Sequence, residues 1–465
     1  MPKKATSRRT FFREVISIRD PLYGFIGLSR KEQRLIDCKI FQRLTRIKQL
    51  GHTYIVFPSA IHTRFEHSLG TLYVAGRICQ QVGLSERDTE LVRVGCLAHD
   101  LGHGPFSHVF EKVMNELVAE DFSHEKATQL ILENDSDLKR VLGDSAEELS
   151  WILKSEKETV RSEILSGTLD ADKLDYLRRD SYHTGVAYGV FDFERVIRNL
   201  CVVRGYGKRN YLCMHEKGKD AVESYRMARY LMHTQVYEHH TRLIADDMFL
   251  RALKFAFDES VLEREALDPG KDPEEFLNYY SSLDDSSIQH LILGKSKGKA
   301  RKTILNLLNR KLLKRAYFIP LSSEAIPDYR ERMRLMQMKQ EEIDKLESTV
   351  ASKAGLRPEE LIIHLQSTEI KLYERPDEDM GMEEKPILIE HYDGSVRHIG
   401  EESPFSASRI PKQLYVFCPE KAKTKVGKVA EDVIGVKNCY NPSKKRSAFT
   451  GKTTVWKHVE SSMKQ

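Results

Sequence analysis

An adjacent histidine and aspartate, His99 and Asp100, follow an apolar run at residues 91–98 that predicts a buried helix. Glycine and proline residues between positions 102 and 105 come directly afterwards, and these residue types end helices. An imidazole beside a carboxylate offers a metal ion two kinds of ligand from one short piece of backbone. The pattern therefore predicts a metal site at the end of a helix, with an open segment beside it for a substrate.

Two further motifs supply the ligands that a single His-Asp pair lacks. Residues 62–70 contain His67, and residues 167–180 contain Asp172. The order His, His-Asp, Asp, with steps of 32, 1 and 72 residues, resembles the HD superfamily of metal phosphohydrolases. Two neutral imidazoles and two carboxylates would give a divalent ion four ligands and leave positions for water and a phosphate oxygen. By this resemblance the metal ligands are His67, His99, Asp100 and Asp172.

Four stretches resemble a narrower group, the HD-domain dNTP triphosphohydrolases, which include a vertebrate enzyme with SAM and HD domains and bacterial relatives. They are Ile47–Gly51, Arg64–Gly70, His99–His108 and Asp170–Asp180. The similarity extends over roughly residues 15–260, becomes thin in the C-terminal part, and includes no SAM domain. It implies hydrolysis of a dNTP to a deoxynucleoside and triphosphate. It also implies a Mn, Fe or Zn ion at the His-Asp site and Mg with the nucleotide phosphates.

The same resemblance implies a group of residues for proton transfer. The candidates are His124, His108, His103, Glu111 and Glu125. An imidazole, whose ordinary pKa is about 6.5, can protonate a leaving 5′-oxygen near neutral pH. We favour His124 as this acid, and His108 competes with it. Glu111 stands where the vertebrate enzyme has an aspartate, so the choice of proton donor stays open.

The resemblance also implies a set of substrate-binding residues. They are Gln49, Leu50, Arg64, Lys173, Tyr176, Asp180, Arg229, His233 and Tyr237. Lys173, Tyr176 and Asp180 have the spacing i, i+3 and i+7, which places them on one face of a helix. Arg229, His233 and Tyr237, at i, i+4 and i+8, lie on one face of another helix. The cationic members would bind the triphosphate, and Tyr176 and Asp180 would hold the sugar 3′-hydroxyl.

A preference for deoxyribose is a further expectation from the resemblance. Gln49, Leu50 and Tyr237 would crowd the C2′ side of the sugar. A ribose 2′-hydroxyl would then clash or stay unpaired, which disfavours ribonucleotides.

Relatives of this family bind activating nucleotides between the subunits of a tetramer. The resemblance therefore implies a homotetramer or a dimer of dimers. Asp37 and Gln42 match the guanine-recognising pair, and Arg195 and Lys217 match contacts to the activator phosphates. Thr45, however, stands where the vertebrate enzyme has an arginine. Activation by GTP, activation by a dNTP, and no activation all stay open.

The composition predicts a soluble, cytoplasmic protein of two or three domains, since the chain has 465 residues, 40% hydrophobic and 31% charged. The chain lacks a membrane-length apolar run, and its N-terminus lacks the apolar core of a secretory signal. Seven cysteines without a CxxC motif favour reduced thiols. Residues 1–50 carry a net charge of +9 and residues 421–465 a net charge of +8, against −12 between them. These basic ends favour weak binding to nucleic acid.

The elements that position the candidate residues are predicted to be mainly helices. Helical periodicity covers most of residues 29–260, and residues 325–355 predict one charged helix. Residues 386–399 predict a β-hairpin on an Asp-Gly turn. The predicted fold is mainly α, a helical HD-domain phosphohydrolase core with a smaller α+β C-terminal lobe. The predicted divisions are a flexible basic arm at 1–14, the HD domain at 15–315, the lobe at 316–435 and a basic tail at 436–465.

Two other functions stay as alternatives. An HD-type nuclease or phosphodiesterase would cleave a diester in nucleic acid or in a signalling nucleotide with the same metal site, and the basic ends favour it weakly. A non-enzymatic nucleic-acid-binding protein with a relict site is disfavoured, because the four ligand positions and Arg64, Lys173 and Tyr176 are intact.

Overall fold

The computed structural model describes residues 13–153, 159–206, 209–366, 370–371, 387–403 and 409–440. Most of the predicted basic arm and of the predicted basic tail lies outside the described residues. The described residues form two compact units, one within residues 1–312 and 370–410, the other within residues 313–369 and 411–465. Among the described residues, no helix combines the length and the hydropathy that crossing a membrane requires.

Helices dominate the structure, which confirms the mainly α fold with a smaller α+β part. The helices are α1 (Arg30–Ile36), α2 (Lys39–Gln42), α3 (Arg64–Val82), α4 (Glu86–Ala98), α5 (His108–Leu117), α6 (His124–Asn134), α7 (Ser136–Leu142), α8 (Ser145–Leu153), α9 (Val160–Ser166), α10 (Ala171–Thr184), α11 (Phe193–Arg198), α12 (Lys219–Met232), α13 (His240–Asp258), α14 (Pro273–Ser282), α15 (Asp285–Lys295), α16 (Lys299–Leu308), α17 (Tyr329–Met336), α18 (Gln340–Ala354), α19 (Ile399–Glu402) and α20 (Lys423–Ile434).

The strands form four small sheets. The strands are β1 (Ile16–Asp20), β2 (Gly24–Leu28), β3 (Leu200–Tyr206), β4 (Arg209–His215), β5 (Lys314–Pro320), β6 (Ile362–Leu365), β7 (Ile370–Lys371), β8 (Leu388–Glu390), β9 (Val396–His398), β10 (Arg409–Ile410) and β11 (Gln413–Cys418). The sheet orders are β1-β2, β10-β7, β5-β11-β6 and β3-β4-β8-β9. The antiparallel pair β8 and β9 confirms the predicted hairpin, with Gly394 at a φ of +79° in its turn.

The structure differs from the predicted elements at three places. The hairpin of β3 and β4 lies inside the range predicted as mostly helical. The single helix predicted at 325–355 is two helices, α17 and α18, and the break between them lets Met338 pack into the second unit's core. The described residues between 370 and 410 group with the first unit, although they were predicted to belong to the C-terminal lobe. The parallel pairing of β4 with β8 accounts for this grouping.

Three packed helices of the first unit position the candidate metal ligands. The N-terminus of α3 is closed by a capping box between Thr63 and Glu66, and its C-terminus by Gly83 in the left-handed conformation. Helix α3 packs against α4 and α10, and buried side chains such as Val74, Val92 and Leu174 share one core cluster. The first turn of α3, the end of α4 and the first turn of α10 therefore meet at one place.

The second unit is an antiparallel sheet with helices on one core. Strand β11 lies between β5 and β6 and pairs antiparallel with both. Tyr317, Val416 and Leu414 from the sheet share a buried cluster with Val350 of α18 and Ala430 of α20. None of the candidate site residues lies in this unit.

Candidate metal and phosphate site

His67 lies buried in the first turn of α3, between two carboxylates of α10. Its Nδ1 atom is 2.9 Å from Oδ2 of Asp175, and its Nε2 atom is 2.9 Å from Oδ1 of Asp172. An ionised carboxylate only accepts, so Nδ1 carries the proton and donates it to Asp175. Metal-binding histidines commonly have this arrangement, in which one nitrogen is oriented by a carboxylate and the other faces the ion.

In His99, as in His67, Nδ1 is held by a hydrogen bond and Nε2 faces the candidate metal site. Its Nδ1 atom donates to the carbonyl oxygen of Cys96 at 2.6 Å, at the last turn of α4. Its Nε2 atom is buried and has no hydrogen-bond partner among the described residues. Nε2 lies 3.3 Å from Oδ1 of Asp100 and 3.7 Å from Oδ1 of Asp172.

Donor atoms of His67, His99 and Asp172 all lie within 4.8 Å of one another, and we call these three residues the His67 group. The two imidazole rings meet edge to face, at 75° and 5.3 Å between centroids. Asp100 stands beside the group, with Oδ2 3.8 Å from Nε2 of His67 and 2.5 Å from Nη1 of Arg64. An orphaned buried nitrogen beside mixed nitrogen and oxygen donors fits a divalent transition metal.

A buried chain of charges holds His67 in place, and the sequence analysis assigned no role to its members. Asp175 accepts two hydrogen bonds from Arg179, at 2.8 and 3.0 Å, and Arg179 also donates to Asp20 at 2.8 Å. A Cβ on Gly70 would lie 2.0 Å from Oδ1 of Asp175, so α3 and α10 require glycine there. Burial raises the pKa of Asp175, but Arg179 and His67 outweigh it and lower that pKa to about 2. The i, i+4 spacing of Asp175 and Arg179 was the available signal.

A second group of His103, His108, Glu111 and His124, here the His124 group, lies beyond Asp100. Oε2 of Glu111 is 3.0 Å from Nδ1 of His124 and 3.3 Å from Nδ1 of His108. Burial raises the pKa of Glu111, but these two hydrogen bonds outweigh it and lower the pKa to about 2. Glu125 is 3.4 Å from Nε2 of His124. Glu111 is therefore charged at neutral pH and orients two imidazoles.

The donor atoms of the His124 group also lie within 4.8 Å of one another, but two of its rings are nearly parallel. The rings of His103 and His124 stack at 3.8 Å and 15°, so their in-plane lone pairs run side by side and do not converge. Burial, and then the positive charges of Arg64 and His124, lower the pKa of His103 well below its ordinary value, so this imidazole is neutral. Its Nε2 atom is 3.3 Å from Oδ1 of Asp100, which links the two groups.

Gly102 allows the His124 group to assemble. A Cβ at this position would lie 2.1 Å from the carbonyl oxygen of His124 and 2.3 Å from the backbone nitrogen of Thr128. The backbone N–H of Gly102 instead donates to Oγ1 of Thr128 at 2.9 Å. The glycine after the His-Asp pair thus lets the start of α6 approach the site.

The candidate sugar-binding residues surround Asp180. Its Oδ1 atom accepts from Nε2 of His62 at 2.7 Å, and its Oδ2 atom accepts from the Tyr237 hydroxyl at 2.7 Å. The ring of Tyr176 lies 6.5 Å from that of His67 and 6.2 Å from that of Tyr237. Tyr176 therefore lies between the His67 group and the Asp180 carboxylate. His62 is a contact of Asp180 to which the sequence analysis gave no role.

The candidate phosphate-binding residues are near the same groups. Lys173 pairs with Asp170 at 2.8 Å, and Arg64 pairs with Asp100. Burial raises the pKa of Tyr176, and the positive charge of Arg229 opposes this effect. Three further candidates lie on the surrounding elements: His233 contacts the Tyr237 ring edge to face, and Gln49 and Leu50 precede a short 3₁₀ helix at Gly51–Ile55.

The candidate activator residues form two separate pairs. Gln42 donates to the carbonyl oxygen of Ile36 at 2.7 Å, next to Asp37. Arg195 donates to the carbonyl oxygen of Lys217 at 2.8 Å. In the described part of this chain, no hydrogen bond or ion pair joins one pair to the other.

Comparison with known proteins places both histidine groups in a family domain. The HD domain matches residues 64–180, and the HD associated region matches residues 191–445, which is more than half of the chain. The chain belongs to the HD-domain family that carries this associated region. All members of the His67 and His124 groups lie within the matched HD domain.

Several relatives are similar to parts of the chain. A protein of Methanocaldococcus jannaschii is 43% identical over 237 residues, which cover 51% of this chain and 49% of the relative. The deoxynucleoside triphosphate triphosphohydrolase SAMHD1 of Homo sapiens is 34% identical over 282 residues, 50% of this chain and 44% of the relative. The SAMHD1 homolog of Dictyostelium discoideum is 31% identical and is covered to 61%. The chain spans between 44% and 61% of the length of these relatives.

Solved structures match over more of the chain. A phosphohydrolase from Bacteroides thetaiotaomicron has a TM-score of 0.69 and 27% identity, covering 87% of this chain and 99% of that structure. A protein from Aquifex aeolicus has a TM-score of 0.67 and 29% identity, covering 89% and 99%. The fold of both units therefore has solved relatives.

Proposed function

We propose that this chain is a metal-dependent deoxynucleoside triphosphate triphosphohydrolase. The observation that carries the proposal is the pairing of two histidine groups with different geometry, joined through Asp100. The His67 group presents converging donors, and the His124 group presents an imidazole held by a charged carboxylate. The relatives described as dNTP triphosphohydrolases, at 31% and 34% identity, support the choice of substrate.

The proposed reaction is attack of water on the α-phosphorus of a dNTP. The bond from that phosphorus to the nucleoside 5′-oxygen breaks, and triphosphate leaves intact. A Mn, Fe or Zn ion held by His67, His99, Asp100 and Asp172, when bound, supplies Lewis-acid activation of the water and the phosphate. The 5′-oxygen receives a proton from His124, and His108 is the second candidate. The side chain of His124 is 19% exposed and that of His108 is 67% exposed, which favours His124 as the enclosed donor.

Positive charge and hydroxyl partners of the chain would bind the rest of the nucleotide. Arg64, Lys173 and Arg229 would contact the triphosphate, which Mg accompanies. Tyr176 and Asp180 would hold the 3′-hydroxyl. The hydrogen bond from Tyr237 to Asp180 would place the Tyr237 ring against C2′, with Gln49 and Leu50 on the same side. A ribose hydroxyl would meet this wall.

A product assay tests the proposal. The protein is incubated with each dNTP and each rNTP, with Mn²⁺ or Mg²⁺, and the products are separated by anion exchange. We expect deoxynucleoside and inorganic triphosphate in equal amounts. Release of pyrophosphate or orthophosphate contradicts the proposal. Parallel incubations with an oligonucleotide and with a cyclic nucleotide test the alternative: their cleavage, with dNTPs left intact, would establish the nuclease or phosphodiesterase function.

We further propose that a nucleotide regulates the enzyme through assembly. Asp37 and Gln42 of one subunit would bind the activator base, and Arg195 and Lys217 would bind its phosphates, in a homotetramer. Light scattering with and without GTP or a dNTP tests this. A mass near four chains with the activator, and a smaller mass with Arg195→Ala, is the expected result; an unchanged mass contradicts it.

A further inference from the structure

The 102–108 loop, which carries His103 and His108 of the His124 group, has a strained backbone. Phe106 and Ser107 are consecutive non-glycine residues with φ of 54° and 55°, in the left-handed region that side chains disfavour. Such a conformation persists only where surrounding contacts hold it. Here the conformation directs the Ser107 hydroxyl to Nε of Arg64 at 2.8 Å, while Nη1 of Arg64 binds Asp100.

The contacts that hold this loop come from a short segment about 180 residues further along the chain. We call the three residues Tyr280, Leu283 and Asp285, at the end of α14 and the start of α15, the anchor segment. The Tyr280 hydroxyl donates to the carbonyl oxygen of Gly102 at 2.6 Å. Oδ1 of Asp285 accepts the backbone N–H of Phe106 at 2.7 Å.

Arg43 provides a third connection between the anchor segment and the loop, in addition to the hydrogen bonds of Tyr280 and Asp285. Its Nε atom donates to the carbonyl oxygen of Leu283 at 2.7 Å, and its Nη1 atom donates to that of His103 at 2.8 Å. Its guanidinium also lies over the ring of Tyr280, 5.0 Å from the centroid. Arg43 and Tyr280 are both fully buried, so these contacts lie away from solvent.

Asp285 holds a second piece of backbone at the same time. Its Oδ2 atom accepts the backbone N–H of Lys48 at 3.0 Å, directly before Gln49 and Leu50. The residue is 1% exposed. A carboxylate accepts at both oxygens, whereas an amide of the same shape presents one acceptor and one donor. One side chain therefore sets the distance between the loop of the His124 group and the candidate sugar-side residues.

We propose that Asp285 is a positioning residue for the active site, and that the anchor segment keeps the 102–108 loop in its strained conformation. The role in turnover rests on the proposed triphosphohydrolase function. The anchor segment lies in the HD associated region at 191–445, outside the HD domain match at 64–180. The associated region thus completes the site, because it fixes Ser107, Arg64 and Asp100 in one arrangement.

Asp285→Asn tests this proposal, because it keeps the shape of the side chain while it removes one acceptor and the charge that faces Nζ of Lys48 at 3.4 Å. Asp284→Asn is the matched control. Asp284 caps α15 through the N–H groups of Ser286 and Ser287 and pairs with Arg46 at 2.6 Å, so this variant also loses an ion pair, but these contacts do not reach the 102–108 loop. We expect kcat to fall about 100-fold in Asp285→Asn, the scale of a small misplacement of catalytic groups, with KM changed less than threefold. We expect Asp284→Asn to stay within about twofold of the native kcat.

Hydrogen exchange of the peptide that covers residues 102–108, followed by mass spectrometry without nucleotide, separates the anchor from the proposed function. We expect faster exchange in Asp285→Asn and native exchange in Asp284→Asn. Faster exchange in Asp285→Asn supports the positioning role of the anchor segment, whether or not the native protein hydrolyses dNTPs. Absence of dNTP hydrolysis by the native protein would contradict only the proposed function. Native exchange in Asp285→Asn overturns the proposal, as does a kcat equal to that of Asp284→Asn.

Tyr280→Phe is a milder variant should Asp285→Asn fail to fold. It removes the hydroxyl that donates to Gly102 and keeps the ring stacked on Phe276, 4.9 Å between centroids. We expect faster exchange of the same peptide and a kcat about fivefold lower, the loss of one buried hydrogen bond. Native exchange in this variant overturns the proposal.

Discussion

The His67 group and the His124 group are made of the same residue types, yet their geometry suits different chemistry. The rings of His67 and His99 meet at 75°, and both present Nε2 toward Asp172. The rings of His103 and His124 lie at 15° and stack. For His67, His99 and His124 a partner of Nδ1 orients the ring, and this orientation distinguishes the proposed ion site from the proposed proton donor. Residue types alone do not make this distinction.

The largest expected effect is that of Asp172→Ala, which tests whether the His67 group binds the metal. We expect loss of the bound metal and a fall in turnover of about 1,000-fold, because several kcal/mol of charge stabilisation disappear. Plasma mass spectrometry measures the metal, and circular dichroism checks that the fold is kept. Asp220→Ala, an exposed position on α12, is the control. Retained turnover in Asp172→Ala would remove this residue from the site.

His124→Ala tests whether the His124 group acts in proton transfer and not in metal binding. We expect kcat to fall between about 100-fold and 10,000-fold, the range of a lost general acid, while the metal content stays native. A substrate with sulfur in place of the 5′-oxygen needs no proton on its leaving group, so its rate should fall much less. Loss of metal in this variant would show that the two groups are not separate. Equal losses for both substrates would transfer the role of acid to another residue, with His108→Ala as the next variant.

The metal affinity of the His67 group should depend on pH. Burial lowers the pKa of His67, but its hydrogen bonds to Asp172 and Asp175 outweigh that effect and raise the pKa to about 10. In the metal-free protein His67 is therefore protonated at neutral pH, and an ion must displace the Nε2 proton. We expect affinity for Mn²⁺ to rise about tenfold per pH unit between pH 6 and 8. Calorimetry in two buffers of different ionisation enthalpy should detect this proton, and a pH-independent affinity would contradict it.

Tyr237→Ala produces the smallest expected effect, on sugar selectivity. The ratio of kcat/KM for a dNTP to that for the matching rNTP should fall about tenfold, because the wall against C2′ is removed. Tyr237→Phe is the control, since it keeps the ring and removes only the hydrogen bond to Asp180. An unchanged ratio in Tyr237→Ala would place the selectivity elsewhere.

The motifs allowed the members of both groups to be named from the sequence, because each motif brings chemistry-bearing residues within a few positions. The orientation of the rings could not be predicted, since it depends on Asp175, on the carbonyl oxygen of Cys96 and on Glu111, which come from three helices. The β3 and β4 hairpin was also missed, because its residues follow a long helical stretch and carry no Asn-Gly or Asp-Gly turn signal.

The contacts of the anchor segment could not be predicted from the sequence either, because they join residues far apart in the chain. Asp285 and Phe106 are 179 residues apart, and nothing in their local sequence pairs them. The sequence does not distinguish Arg43 from the other basic residues of the N-terminal region. In the fold Arg43 is buried and contacts both the anchor segment and the loop. Contacts of this kind follow from tertiary packing, so they became visible only with the fold.

X-ray absorption spectroscopy of the metal-loaded protein identifies the side chains that bind the ion. We expect a coordination shell with two imidazole nitrogens and carboxylate oxygens, unchanged in His124→Ala and His108→Ala and lost in Asp172→Ala. A shell without imidazole, or one that changes when His124 or His108 is replaced, would contradict the assignment of the ion to the His67 group.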